Sequence, residues 1–390
     1  MPAPLHAYCE DFGYYEERAQ GLLASAKDGT PSATQAFAEH GVPLTEHGAR
    51  AVIAAQHGVG SWKALRTHVA ALRASDAPFH RAYRAVERRD LEALGAVLDA
   101  HPELVRAKGT NGNDLLGMAG AVGDERLSEL LLQRGADPTS ANLHGWTALH
   151  QAAYSNQPQL AARLLAAGAR TDLSARGDGG TPLIVALFWG HREAAELLAG
   201  DGVVPANLRA AAGLGDLGLI AELLPATGKP TAAAGAHRDF YRPHGGFPAW
   251  SPSDDPREIL DEALAWAARN DRVEAIDALV QRGARLAADV YRGTALAWAA
   301  ATGRERAIRR LVALGADPSG PSTFGGPDHG RALTPLHLAA EDCRLDALTA
   351  LLELGADPTL TDGIYESTPA GWAEHFGQAR ALATLQAAGG

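Results

Sequence analysis

The stretch TPLHLAAEDCRLDALTALLELGADP, Thr334–Pro358, decides how the chain folds. Thr334 suits a helix N-cap, and Pro335 suits the first helical position, where no N–H is needed. Ala339 and Ala340 are small enough to let one helix lie close against another. Leu348, Leu351 and Leu352 fall at i, i+3 and i+4, an apolar stripe on a second helix that faces the first. Gly355 permits a left-handed stop, and Asp357-Pro358 opens the next turn. A single helix-turn-helix unit of this kind cannot bury its own apolar face, whereas stacked copies can.

Copies are present. TALHQAAYSNQPQLAARLLAAGA begins at Thr147, TPLIVALFWGHREAAELLAG at Thr181, and TALAWAAATGRERAIRRLVALGADP at Thr294. Weaker copies begin at Asp114, 33 residues before Thr147, at Leu208, where the turn is lost, and at Ala263. Phe79–Val105 reads as an opening unit, and the copy from Ser367 as a closing one. The recurring T-P-L-H-x-A followed by L-L-x-x-G-A-D resembles the ankyrin repeat. That resemblance implies an all-α fold, an ankyrin-repeat solenoid of about nine helix-turn-helix units with an exposed concave side.

Two regions break the pattern. Residues 1–75 read as a helical leader: one helix over Glu16–Ala26, then two over Glu46–Leu72 broken at Gly58–Ser61. This stretch, with its H-G and S-W pieces, resembles the leader of bacterial ankyrin arrays. It is expected to cap the array by burying Trp62, Leu65 and Val69, the alternative being a module that docks a partner. Residues 225–256, with the core AHRDFYRPHGGFPAWSPSDDP, form an insertion too long for a turn. They resemble an insertion of some bacterial ankyrin proteins, from which no activity carries over. The expected organisation is therefore a leader at 1–75, repeats at 76–224, an insertion at 225–256 and repeats at 257–390. Ser319–Ala332 is expected to be a smaller exposed tip.

The 390 residues are 46% apolar and 21% charged, a folding composition. A net charge of −11 disfavours nucleic acid as a partner. The two cysteines, Cys9 and Cys343, form no CxxC pair, which disfavours a disulfide framework or a zinc site. Met1–Gln20 is polar and acidic rather than a secretion signal, and no long apolar run suggests a membrane span, so a cytoplasmic location is expected. Gly213, Gly215 and Gly218 match GxGxxG, but no strand pattern precedes them, so they read as a turn between repeat helices. His237 and His244 lack a metal-ligand spacing, and no G-x-S-x-G or P-loop occurs. His150 and His337, at the signature's own histidine position, read as structural groups that hydrogen-bond turn backbone. No catalytic residue, metal or cofactor is assigned.

The ankyrin register implies which residues point outward on the concave face: the one before the threonine and two after the Ala-Ala pair. These are Trp146, Tyr154 and Ser155, then Phe188 and Trp189, then Arg269 and Asn270, Glu341 and Asp342, and His375 and Phe376. Trp146, Tyr154, Phe188 and Trp189 are expected to form an exposed aromatic patch, which usually marks an interaction surface. His237, Arg238, Tyr241, Arg242, His244 and Trp250 are the candidate binding residues of the insertion. Arg238 and Arg242 have a competing structural reading as partners of Asp239, Asp254 or Asp255. The expected function is a protein-binding scaffold or adaptor with an unidentified protein partner, using the groove and the insertion. The alternatives are a small-molecule binder or enzyme whose pocket lies between groove and insertion, taking an anionic or aromatic ligand, and an inhibitory partner of the immunity type.

Overall fold

A computed structural model describes residues 11–27, 31–72, 75–109, 112–142, 145–175, 179–225, 229–238, 252–290, 293–324 and 331–388. The regular elements of these residues are all helices, with no strand, only isolated bridges such as Ala141 with Thr147. Four leader helices come first: α1 (Gly13–Lys27), α2 (Pro31–Glu39), α3 (Glu46–Gln56) and α4 (Trp62–Leu72). Nine helix pairs follow among the described residues. They are α5 (Pro78–Glu87) with α6 (Leu91–Ala100), α7 (Leu115–Val122) with α8 (Glu125–Gln133), and α9 (Ala148–Tyr154) with α10 (Pro158–Ala166). Next come α11 (Pro182–Phe188) with α12 (Arg192–Asp201), α13 (Leu208–Leu214) with α14 (Leu217–Leu223), and α15 (Pro256–Arg269) with α16 (Val273–Gln281). The last are α17 (Ala295–Ala301) with α18 (Glu305–Ala313), α19 (Pro335–Glu341) with α20 (Leu345–Glu353), and α21 (Pro369–His375) with α22 (Ala379–Ala388).

The described residues group into two compact units. The first takes those up to Ala186 together with Glu193–Val203; the second takes Leu187–Arg192, Val204–Arg238 and 252–388. In the first unit the leader has its own core, in which Tyr15, Leu23, Phe37, Val52, Ile53, Leu65 and Val69 are buried and Trp62 is half-buried at the edge. The helix α2, unanticipated in the sequence, closes that core with Ala33 and Phe37. The inner helices α5, α7 and α9 stack in order, as do the outer helices α6, α8 and α10.

In the second unit the inner helices α13, α15, α17, α19 and α21 stack in order, and so do the outer helices α14, α16, α18, α20 and α22. The insertion does not interrupt this stack, because α13 packs directly on α15. The caps follow from the sequence. Thr294 accepts from the Ala297 N–H and Thr368 from the Gly371 N–H, while Asp124 and Asp216 cap outer helices. Two stitches recur between neighbouring repeats. His150 and His337 join one turn to the next, and the residue before an outer helix reaches back one repeat. Arg272, Arg304, Arg344 and Gln378 donate to the carbonyls of Gly213, Arg269, Ala301 and Glu341, at 3.1, 3.1, 3.3 and 2.9 Å.

Candidate binding face

The inner-helix face of the first unit is built on α9. Thr147 caps it, and His150 reads the cap in return. The Thr147 N–H donates to His150 Nδ1 at 3.2 Å, so the ring proton sits on Nε2 and bonds the Gly180 carbonyl at 3.0 Å. The His337 ring does the same with Thr334 and with the Ser367 carbonyl, at 3.2 and 2.9 Å. Burial pushes the His337 imidazole below the ordinary histidine range, against the pull of Ser367 and the Asp362 charge. Both histidines are therefore structural.

Tyr154 stands at the end of α9 with 40% of its surface exposed. Its ring meets Trp146 edge-on at 6.0 Å, and Trp146 lies over the buried His150 ring at 5.3 Å. Trp146 Nε1 donates to Gln151 Oε1 at 3.1 Å, and Gln151 Nε2 donates to Ser155 Oγ at 2.9 Å. An exposed phenol thus sits on a hydrogen-bonded shelf.

The same register behaves differently in the second unit. Phe188, Arg269 and Asn270, expected to point into solvent, are buried, and Trp189 is half-buried. Gly213 lies beneath this contact. A Cβ there would meet Leu187 Cδ2 at 3.1 Å and Asn270 Nδ2 at 3.4 Å, so the missing side chain eases the reach of α15 across α13 to the end of α11. Arg269 Nη1 donates to the Phe188 carbonyl, and Asn270 Nδ2 to the Leu187 carbonyl, both at 2.9 Å. The Arg269 guanidinium lies 3.5 Å from the Trp298 ring centre, 4.9 Å from Phe188 and 5.3 Å from Trp266. Phe324 packs on Trp298 at 4.7 Å. Phe188 belongs to this core rather than to an exposed patch. Further along, Asp342, His375 and Phe376 are exposed and Glu341 is half-buried.

The insertion begins by folding onto the stack. Thr231 bonds the Leu223 carbonyl, a short 3-10 helix spans Ala232–Gly235, and Ala234 is buried. His237 is exposed, in a left-handed conformation with φ 57°, and its carbonyl accepts from Arg209. Arg238 is buried. It donates to Glu262 Oε2 and the Ser253 carbonyl, each at 2.5 Å, and to Glu258 Oε1 at 2.7 Å. Arg209 reaches the other oxygen of Glu262 at 3.5 Å. Arg238 is therefore no open anion ligand. Its carboxylate partners among the described residues, Glu258 and Glu262, lie on α15 rather than at Asp254 or Asp255, and Asp239 lies outside the described residues. Asp255 instead caps α15 through the Arg257 N–H. Tyr241, Arg242, His244 and Trp250 lie outside the described residues.

A family model described as three copies of ankyrin repeats matches residues 115–207, and one described as an ankyrin repeat matches residues 333–363. The chain carries ankyrin repeats. Protein PhlB of Serratia liquefaciens is 34% identical over 110 residues, which are 28% of this chain and 48% of that protein. The match thus spans about half of the relative's length. The human ASB11 ankyrin repeat domain is 19% identical with a TM-score of 0.31, over 71% of this chain and all but 1% of that domain (99% covered). The ankyrin register also shows what the sequence reading missed. Arg209 stands where other copies have the turn histidine, and Glu262 where they have the capping threonine. Trp266 and Trp298 share one position in two LAWAA segments, 264–268 and 296–300. Each was visible as a departure from its neighbours.

Proposed function

We propose that the chain is a protein-binding scaffold whose first unit holds its partner through the shelf of Trp146, Gln151 and Tyr154. The observation that carries this reading is Tyr154, exposed yet held edge-on by a tryptophan that is itself hydrogen-bonded. A pre-ordered aromatic side chain loses little entropy on binding, and tyrosine and tryptophan supply large contact area. Ankyrin repeats generally serve protein interaction, which agrees with this assignment. No helix of the described residues is long and apolar enough to cross a membrane.

Within this reading the insertion is a second contact element, anchored at its base by Arg238. His237 is one of its described residues that face solvent. The experiment is affinity capture with mass spectrometry on wild type, Trp146→Ala and Tyr154→Ala. A reproducible partner, then purified, should bind each variant at least about tenfold more weakly, the usual scale of an aromatic anchor. Equal capture and equal affinity in both variants rule out this face.

A further inference from the structure

The leader carries a second surface, independent of the shelf on α9. A continuous row of rings runs along it: Trp62 to Phe12 at 5.1 Å, Phe12 to Tyr15 at 5.9 Å, and Tyr15 to Tyr14 at 5.2 Å. Tyr15 is buried and fixes the row to the core, while Tyr14 is exposed and Phe12 and Trp62 are half-buried. Three arginines from three helices lie against these rings. The Arg66 guanidinium is 4.9 Å from the Phe12 ring, Arg18 is 5.6 Å from Tyr14, and Arg50 is 5.9 Å from Trp62.

Arg18 also donates to the Tyr14 hydroxyl at 2.9 Å. Arg50 and Arg66 are less committed. Their carboxylate neighbours Glu46 and Glu16 stand at 3.8 and 3.6 Å, beyond hydrogen-bond range, and their side chains are 40% and 63% exposed. Among the described residues neither guanidinium donates a hydrogen bond. The rings hold the two forks in place and leave their N–H groups in water, ready for carboxylates that can reach bonding distance.

We propose that this face binds an acidic peptide segment of a partner protein. Arg50 and Arg66 take its carboxylates, and one of its apolar side chains rests on Phe12 and Trp62. Lys63, exposed on the same helix as Arg66, adds to the charge. A phosphate backbone fits less well: its charges are closely and regularly spaced and would meet Glu16 and Glu46 as well as the arginines, whereas a peptide can present one or two carboxylates at Arg50 and Arg66 alone.

The test is to pan a displayed library of random peptides on the full chain and then titrate the enriched peptides calorimetrically. Enriched sequences should place Asp or Glu beside an aromatic or aliphatic residue, and their affinity should fall with rising salt. The double variant Arg50→Gln with Arg66→Gln should weaken binding about tenfold, as expected for two partly exposed charge-assisted pairs. Both arginines lie outside the leader core, and far-UV circular dichroism checks the fold. Glu16→Gln removes the competitor of Arg66 and should tighten binding. Tyr154→Ala should leave it unchanged, which separates this surface from the α9 shelf. The proposal is overturned by no enrichment, by enrichment without acidic residues, by unchanged affinity in both the double variant and Glu16→Gln, or by a poly-dT oligonucleotide binding more tightly than the peptides.

Discussion

A guanidinium held between two carboxylates and a carbonyl, away from water, is favourable only while the whole set stays intact. Arg238 is in this position, and the set is built from departures from the repeat. Glu262 replaces a capping threonine, Arg209 a turn histidine, and α15 begins early enough to bring Glu258 alongside. Burial opposes ionisation of Glu258, but the hydrogen bonds from Ser253 and Arg238 outweigh it and hold its carboxyl below the usual range. Arg238→Ala takes from two carboxylates their shared charged partner, leaving Glu262 only the longer contact with Arg209, and should cost about 3–5 kcal/mol by denaturant unfolding. Glu262→Ala should cost more than Glu258→Ala, because Glu262 is the more buried of the two. A loss under about 1 kcal/mol for Arg238→Ala would mean the cluster is solvated.

His57 is the other residue whose environment sets a measurable property. Burial in the leader, assisted by the Arg18 charge, pushes its imidazole down from 6.5 to about 4. The unfolded chain then takes up a proton near pH 6.5 that the folded leader refuses until about pH 4. Stability is fully present above 6.5, falls as pH drops through that window, and levels below it. The loss over the window is about 3 kcal/mol. An NMR titration of the ring should show a midpoint near 4, and a midpoint above 6 would contradict the buried placement. His57→Gln should flatten the acid-side slope of leader stability.

At the level of elements, the helix pairs were legible because the same physics recurs in each copy: a capping threonine or aspartate, an Ala-Ala contact, a leucine stripe and a glycine stop. The helix α2 was not, since PSATQAFAE offers only Ala33, Ala36 and Phe37 to a core that belongs to the leader alone. The aromatic face was legible at Tyr154 and misread at Phe188. Register gives a side chain's direction along one helix, whereas Phe188 is covered by Arg269, Trp266 and Trp298, which come much later in the chain. The back-reaching stitch was also hidden, because a lone arginine before an outer helix looks like a solvated charge. Its members should differ in weight. Arg304 is half-buried and donates to the carbonyls of both Arg269 and Gly190, whereas Arg344, in an exposed position, gives the stitch one long bond and donates otherwise to its neighbour Asp342. Arg304→Ala should cost about 2–3 kcal/mol and Arg344→Ala under about 1 kcal/mol, measured by urea unfolding. Equal losses would show that the stitch acts through backbone shape rather than through its hydrogen bonds.

At the largest scale, a stack of repeats is stabilised by contacts between neighbours, so a lesion is felt locally before it is felt everywhere. In the second unit the stack runs unbroken from α13 to α21, although the insertion, residues 225–255, comes between α14 and α15 in the chain. The Arg238 cluster fastens both ends of that excursion to α15, as the paired Ser322 and Leu333 backbones close the smaller one before α19. Excursions fastened at the base can vary in length and sequence without disturbing the helices that flank them. This predicts where damage travels. In Arg238→Ala, amide hydrogen exchange should rise in α13 and α15, with smaller changes in α17, while α19 and α21 keep their protection. If exchange rose equally along all five inner helices, the unit would be opening as a single block. The cluster would then hold the whole stack together rather than one junction within it.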